Sequence, residues 1–383
     1  MPIYRMDGKK DGKNRYRVRV NYQDNMGKYK QIDRITYGND EAKNLERELL
    51  HNLKKEVTHS NITLQCLFEE YIIVKKHEVR ESTLDKTIRI LKFHILPDLG
   101  NLKLNKLNTS ILQKWKLNIE NKLMNNKENL SVTTKKNIYA EFRAMLNYAV
   151  KMEYLSQNPL IRVGNFKDTN TIHKEMNYYT ADEFQRFSKV AFKYAKKAEK
   201  SNNIYEWNYY VFFCIAFYTG LRKGEIHGLQ WNDISDNKFL SVKRSITQKV
   251  KGGDRVTPPK NRTSIRTIQI PVPLQKVLSE HYKRCKTIAE FQEELKICGG
   301  TKALRDTSVE NHNIRFAEIA GIKKIRIHDF RHSHASLLAN NGINIQEIAR
   351  RLGHAKIEMT WNTYSHLYSR EEEKAMQVLD KIV

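Results

Sequence analysis

The chain has 383 residues, 40% of them hydrophobic, with 68 Lys and Arg against 43 Asp and Glu, a formal net charge of +25. That length suits two or three domains with real cores, and the charge points to a polyanionic partner, since each cation set against a phosphate releases a condensed counterion. No run approaches the roughly 18 uninterrupted apolar residues of a membrane span, the first 20 residues lack the apolar centre of a signal peptide, and Cys66, Cys214, Cys285 and Cys298 are scattered without a CxxC, so a soluble cytoplasmic protein with reduced thiols and no membrane association is expected.

Residues 14–36 alternate as strands: Tyr16, Val18, Val20 and Tyr22 point one way, Arg15, Arg17, Arg19 and Asn21 the other, with a turn at 24–27. A second strand-like run follows over 28–36. Asn39 or Asp40 can then cap a helix to about residue 55, striped by Ala42, Leu45, Leu49, Leu50 and Leu53. The result is a small ββ(β)α module. Its arginine row either suits insertion into a major groove, where Arg reads guanine edges or grips phosphates, or is an exposed polar face.

Residues 63–160 are almost wholly helical in pattern. Leu64, Leu67, Phe68, Tyr71 and Ile72 form one stripe, and Leu84, Ile88, Leu91 and Ile95 a second, halted by Pro97 and Gly100. Ile111, Leu112, Trp115 and Ile119 form a third, and Phe142, Leu146 and Ala149 lie on a fourth that ends before Asn158-Pro159. Such a bundle leaves Lys86, Arg89, Lys92, Lys135 and Lys136 between stripes, free to face a phosphate backbone or simply water. Residues 164–178 are polar and aperiodic, a linker. A capping box at Thr180-Ala-Asp-Glu183 opens a helix to about residue 200, a buried helix over 209–219 closes at Gly220, and strand-like runs over 239–248 and 264–270 precede a helical remainder. The fold class expected is α+β, mainly α, with a small N-terminal sheet-plus-helix module, a helical bundle, and a mixed, mostly helical domain holding a small β-sheet. Residues 340–353 also read as a helix-turn-helix with Gly342 at the turn.

Between residues 319 and 369 stand seven Lys or Arg and five His (His328, His332, His334, His354, His366), with only three acids. Metal-dependent nucleases need clustered carboxylates. Zinc held by His328, His332 and His334 would lack the glutamate of an HExxH site, so no metal and no cofactor are expected. Cations and imidazoles suit instead the stabilisation of a phosphorane while a side-chain nucleophile attacks phosphorus.

Thr219-Gly-Leu-Arg-Lys-Gly-Glu225, then Lys260 before the strand at 264–270, then His328-Asp-Phe-Arg331-His332, Leu352-Gly-His354 and Tyr364 closely resemble the boxes of the tyrosine recombinases, the phage integrase family, in order and approximate spacing. The resemblance implies an arm-site DNA-binding module over 1–57, a core-site DNA-binding bundle over 63–163, and a catalytic domain over 175–383 with a C-terminal tail helix. It implies that Arg222 and Arg331 clamp the scissile phosphate, because guanidinium forks match two phosphate oxygens, and that Glu225 orients the arginine. Lys260, with Lys249 and Lys251 as rivals, would protonate the departing 5′ oxygen. His328 would assist proton transfer, His354 would donate a hydrogen bond to the phosphate, and His332 and His334 would keep ordinary structural roles. Tyr364, with Tyr368 one helical turn further on, would be the nucleophile forming a 3′-phosphotyrosine without ATP or metal. Partners implied are double-stranded DNA at core-type and arm-type sites, three further copies in a homotetramer on DNA, an excisionase and a host DNA-bending protein, in a bacterial, nucleoid-associated setting. The tail stripe Ala375, Val378, Leu379 and Ile382 would dock on a neighbouring protomer or pack in cis. A type IB topoisomerase, a DNA-binding regulator with a vestigial site and a metal nuclease are the competing functions.

Overall fold

The computed structural model describes residues 3–23, 29–57, 62–123, 128–168, 176–201, 203–248, 253–257, 264–288 and 290–367, together with 376, 379 and 380. They form two compact units, Met1–Ile172 and His173–Val383.

In the first unit, strands β1 (Ile3–Lys10), β2 (Lys13–Gln23) and β3 (Tyr29–Tyr37) make an antiparallel sheet in that order, and α1 (Asn39–Val57) follows. Alternation puts Val18 and Val20 on the face that α1 covers with Ala42, Leu45 and Leu49. Leu50, expected in that stripe, is exposed. The other face pairs Arg15 with Tyr37, Arg17 with Ile35 and Arg19 with Asp33. Arg17 and Arg19 both pair with the Asp33 carboxylate, Arg19 through its Nε at 3.0 Å. The arginine row is therefore present, with two of its members held by one acid.

The same unit contains α2 (Leu64–Glu78), α3 (Glu81–His94), α4 (Leu96–Leu99), α5 (Thr109–Glu120), α6 (Val132–Lys151) and α7 (Leu160–Val163). Thr63, Asn108 and Ser131 cap α2, α5 and α6 by accepting from the backbone N–H of Cys66, Ile111 and Thr134. The stripes meet in one core around Leu67, Leu91, Leu112, Phe142 and Leu146. Trp115 is its centre: the indole N–H donates to the His94 carbonyl at 2.8 Å and the ring meets Phe142 edge-on at 4.9 Å.

The second unit opens with α8 (Ala181–Glu199), whose capping box is complete: Thr180 Oγ1 accepts from Glu183 N and Glu183 Oε2 from Thr180 N. Next come α9 (Trp207–Thr219), α10 (Lys223–Gly228), β4 (Ile234–Ser235), β5 (Phe239–Val242), β6 (Ser245–Thr247), β7 (Arg255–Thr257) and β8 (Arg266–Gln269). The single strand expected over 239–248 is two, in different sheets: β5 lies between β4 and β8, whereas β6 pairs with β7. The break falls where Arg244 turns to the buried Asp233 carboxylate at 2.6 Å and the Gly228 carbonyl at 3.1 Å. Helices α11 (Val272–Cys285), α12 (Asp306–Ile319), α13 (Asp329–Asn340), α14 (Ile345–Leu352) and α15 (Glu358–Tyr364) complete the unit. An aromatic core fixes α13 against α8 and α9: Phe184 stacks on Phe217 at 3.7 Å, and Phe330 meets Tyr179, Phe187 and Phe213 between 5.4 and 5.5 Å. Gly342, in the left-handed region, turns α13 into α14, but α14 spends Ile348, Ala349 and Leu352 on packing inside this unit. Among the described residues no helix is long and apolar enough to cross a membrane.

Candidate active site

The site begins where α9 stops. Thr219 Oγ1 donates to the Ile215 carbonyl at 2.5 Å, and Gly220 ends the helix at φ +64. A Cβ on Gly220 would lie 2.7 Å from the His334 ring and 2.9 Å from Leu352, so both handedness and space demand glycine here. Freed from the helix, the Gly220 carbonyl accepts from Arg331 at 2.9 Å.

Arg222 caps α10. Its backbone N–H donates to Glu225 Oε2 at 3.0 Å and its Nη1 to Glu225 Oε1 at 2.9 Å. Glu225 is buried, and Arg266 at the start of β8 reaches it from the other side, Nη2 to Oε2 at 3.0 Å. Burial alone would push the Glu225 carboxyl up; Arg266 and Arg222 outweigh it and hold the group below the usual carboxylate range. Arg266 also donates from Nε to the Arg351 carbonyl at 2.7 Å. One buried anion thus fixes two guanidiniums, only one of which, Arg222, is part exposed.

Arg331, on the inner face of α13, is buried and donates from Nη2 to the Leu352 carbonyl at 2.7 Å, besides its bond to Gly220. Burial and then Arg222 lower its pKa to about 9, which still leaves it charged at neutral pH. His334 is a packing residue: its Nδ1 lies 2.9 Å from the Phe217 carbonyl, and burial lowers its pKa to about 3. His328 keeps one side open to water, yet the protein enclosing its other side, with His332 and Arg331 beside it, lowers its pKa to about 4.

Beyond α14, His354 places Nδ1 2.7 Å from Thr360 Oγ1. Burial, then Arg331, Arg222 and Arg266, lower it to about 4, so the imidazole is neutral at pH 7 and lies within the field of all three arginines. Tyr364, at the end of α15, is 2% exposed and packs in cis against Ala335, Ala339, Ile348 and Leu352. Its hydroxyl lies 2.7 Å from His332 Nδ1. Burial raises its pKa to about 12, against the pull of Arg331.

Arg222, Glu225, His328, Arg331, His354 and Tyr364 therefore share one cluster, drawn from α10, α13, α15 and the loop after α14. Lys260, Lys249 and Lys251 lie outside the described residues, as do Tyr368 and most of the tail. Arg15, Arg17, Arg19, Lys86, Arg89, Lys135 and Lys136 belong to the other unit; there Arg89 pairs with Asp85 at 3.2 Å and Lys135 donates to the Glu120 carbonyl at 3.0 Å. Two participants escape sequence reasoning, and a third, His332, is expected there only to keep a structural role. Arg266 looks like any polar strand residue, although the inward parity it shares with Ile268 is a signal. Thr360 meets the site only through the packing of α15, and so does the contact between His332 and the Tyr364 hydroxyl. Among the described residues no three His, Cys, Asp or Glu gather so as to hold a metal ion.

A phosphate-sized anion would find here two arginine forks, neutral imidazoles and a buried phenol, the equipment for phosphoryl transfer to tyrosine. The Phage integrase family profile matches residues 178–371 and the profile of the phage integrase N-terminal SAM-like domain matches 63–118. The chain belongs to the phage integrase family: it is a site-specific tyrosine recombinase, an enzyme that cuts and rejoins DNA strands. Among its relatives, a tyrosine recombinase XerC-like protein of Caldanaerobacter subterraneus subsp. tengcongensis is 28% identical over 405 residues, covering 97% of each chain. The ICEBs1 integrase of Bacillus subtilis is 31% identical over 268 residues, 66% of this chain and 67% of its own. The fold matches that of the Tn1549 transposon integrase in complex with a circular intermediate DNA, with TM-score 0.63 and 20% identity over 84% of this chain and 100% of that one. It also matches a lambda integrase tetramer bound to a Holliday junction, with TM-score 0.56 and 18% identity over 95% and 94%.

Proposed function

We propose that Tyr364 is the nucleophile of this recombinase, attacking a scissile phosphate held by Arg222 and Arg331 and forming a 3′-phosphotyrosine while a 5′ hydroxyl departs. The observation that carries this is the convergence of Tyr364, Arg331, Arg222 and His354 in one cluster, each within the electrostatic reach of Arg331. Glu225 orients Arg222. His354 donates from Nε2 to a phosphate oxygen while Nδ1 accepts from Thr360, and His328 lends its imidazole to proton transfer. Lys260 supplies the proton of the leaving oxygen. No metal or nucleotide is needed, because the phosphotyrosine conserves the phosphodiester linkage for resealing.

The remaining organisation follows the same reading. Double-stranded DNA is the partner, bound at core-type sites by residues 63–163 through Lys86, Arg89, Lys135 and Lys136, and at arm-type sites by residues 1–57 through Arg15, Arg17 and Arg19. Residues 175–383 carry the chemistry. Four copies assemble on two duplexes, an excisionase and a host DNA-bending protein set direction, and the enzyme works in the bacterial cytoplasm on the nucleoid, integrating and excising a phage or other mobile element.

The test is a labelled core-site duplex, found by sequencing the ends to which the protein attaches, run on a denaturing gel. Tyr364→Phe removes only the hydroxyl; DNA affinity should hold, while adduct and recombination vanish, because uncatalysed phosphodiester hydrolysis is extremely slow. An adduct formed by Tyr364→Phe, or an adducted peptide mapping to Tyr368, overturns the assignment. Strand exchange between two duplexes distinguishes this enzyme from a type IB topoisomerase, and cleavage retained in EDTA from a metal nuclease.

A further inference from the structure

The HxxR box accounts for His328 and Arg331 but gives His332 nothing to do. Its ring nevertheless addresses a reacting atom. Nδ1 lies 2.7 Å from the Tyr364 hydroxyl and, among the described residues, is the one hydrogen-bond partner of that oxygen. Successive residues on α13 diverge by about 100°, so Arg331 faces the Gly220 and Leu352 carbonyls while His332 faces α15. We propose that His332 is the catalytic proton acceptor for Tyr364, taking the phenol proton as the oxygen attacks phosphorus. The inference rests on the assignment of Tyr364 as nucleophile.

Three observations support it. First, the phenol needs a base. Buried, with its pKa at about 12, only about one molecule in 10⁵ holds a phenolate at pH 7. Second, the Nδ1 atoms of His354 and His334 are engaged by Thr360 and the Phe217 carbonyl, while the His328 ring stands perpendicular to that of His332 at 5.1 Å and, among the described residues, is not a hydrogen-bond partner of the Tyr364 hydroxyl. Third, His332 rests neutral, with a lone pair for the proton. Burial, and the charges of Arg326 before α13 and Arg331 on it, lower its pKa; Asp329 of the same helix opposes them and would steady the imidazolium once formed; from α15 the group facing it is Tyr364.

The step balances. The bond from Tyr364 Oη to phosphorus forms, the bond from phosphorus to the 5′ oxygen breaks, the phenol proton moves to His332 Nδ1, and the 5′ oxygen takes a proton from the Lys260 ammonium. In religation the 5′ hydroxyl returns its proton to the lysine, attacks phosphorus, and the departing phenolate recovers its proton from His332. No oxidant, metal or water enters.

The test is single-turnover adduct formation by the full chain on its mapped core-site duplex, comparing His332→Ala and His332→Asn with the wild type. Both variants should bind the duplex as the wild type does and form the adduct about 10²- to 10⁴-fold more slowly, the range of a lost general base. Added imidazole should speed His332→Ala in proportion to its neutral form. A 5′-bridging phosphorothiolate, whose sulfur departs without protonation, should leave the deficit intact, because it relieves only a missing acid. Asparagine can accept the phenol's hydrogen bond but not its proton, so wild-type cleavage by His332→Asn would overturn the proposal, as would restoration of either variant by the phosphorothiolate. Failure of the nucleophile assignment is distinguishable: the wild type itself would then give no adduct at Tyr364.

Discussion

Replacing Glu225 by Gln tests the electrostatic logic of the site more sharply than removing an arginine. The carboxylate is buried and accepts from Arg266, itself buried, and from Arg222, which is part exposed. Gln keeps the shape but deletes the charge and turns an amide N–H toward a guanidinium. Breaking a buried ion pair by removing one partner costs about 3–5 kcal/mol, and since water already screens Arg222, the lower half of that range is expected. The assay is urea unfolding of the full chain followed by the fluorescence of Trp207 and Trp231, both buried in the same unit as Glu225. The pH dependence gives the sign. The folded pKa of Glu225 is depressed, so its stabilisation is present above the ordinary glutamate pKa and lost as pH falls through the folded value. The gap between wild type and Glu225→Gln should therefore be widest at pH 6–7 and shrink as the wild type protonates in acid. A gap below about 1 kcal/mol at neutral pH, or one that does not narrow in acid, refutes this account of how Arg222 and Arg266 are held.

Arg331→Lys should bind DNA normally but lose about 2–4 kcal/mol of transition-state stabilisation in single-turnover cleavage, since an ammonium cannot hold two carbonyls and a phosphate as a fork does; cleavage within threefold of wild type would contradict this. Gly220→Ala should lower the melting temperature, at a cost above about 1 kcal/mol, because it meets both a left-handed φ and the His334 ring; calorimetry of the two proteins decides it. Deleting residues 1–57 should abolish high-affinity binding at an accessory site while leaving core-site cleavage, as read by gel shift and adduct assay, and a truncated protein that binds every segment like the full chain would rule out an arm-binding role.

The parts legible in the sequence are those written in local patterns. The bundle stripes become its core because a period of 3.6 residues and a capping residue specify a helix without reference to the rest of the chain. The glycine after Thr219 and the HxxR spacing likewise announce themselves. What stays hidden depends on distant partners. Strand β1, with Lys9, Lys10 and Asp7 along it, has no strand signature and forms because β2 offers it an edge, Ile3 opposite Val18. Arg266 meets Glu225 across 41 positions and His332 meets Tyr364 across 32, so neither contact has a local trace. Arg244 splits a continuous strand pattern because its charge finds Asp233.

Arg331 is fastened to the peptide carbonyls of Gly220 and Leu352 rather than to side chains. Main-chain oxygens are supplied by every amino acid, so no point substitution deletes them; only displacement of the chain can. The enzyme's tolerance to genetic change should thus be lopsided. Gly220 apart, side-chain drift around the arginine is absorbed, whereas a one-residue insertion or deletion in the α9–α10 turn or at the end of α14, by shifting a carbonyl several ångströms, disarms the enzyme while the remainder of the unit can still fold.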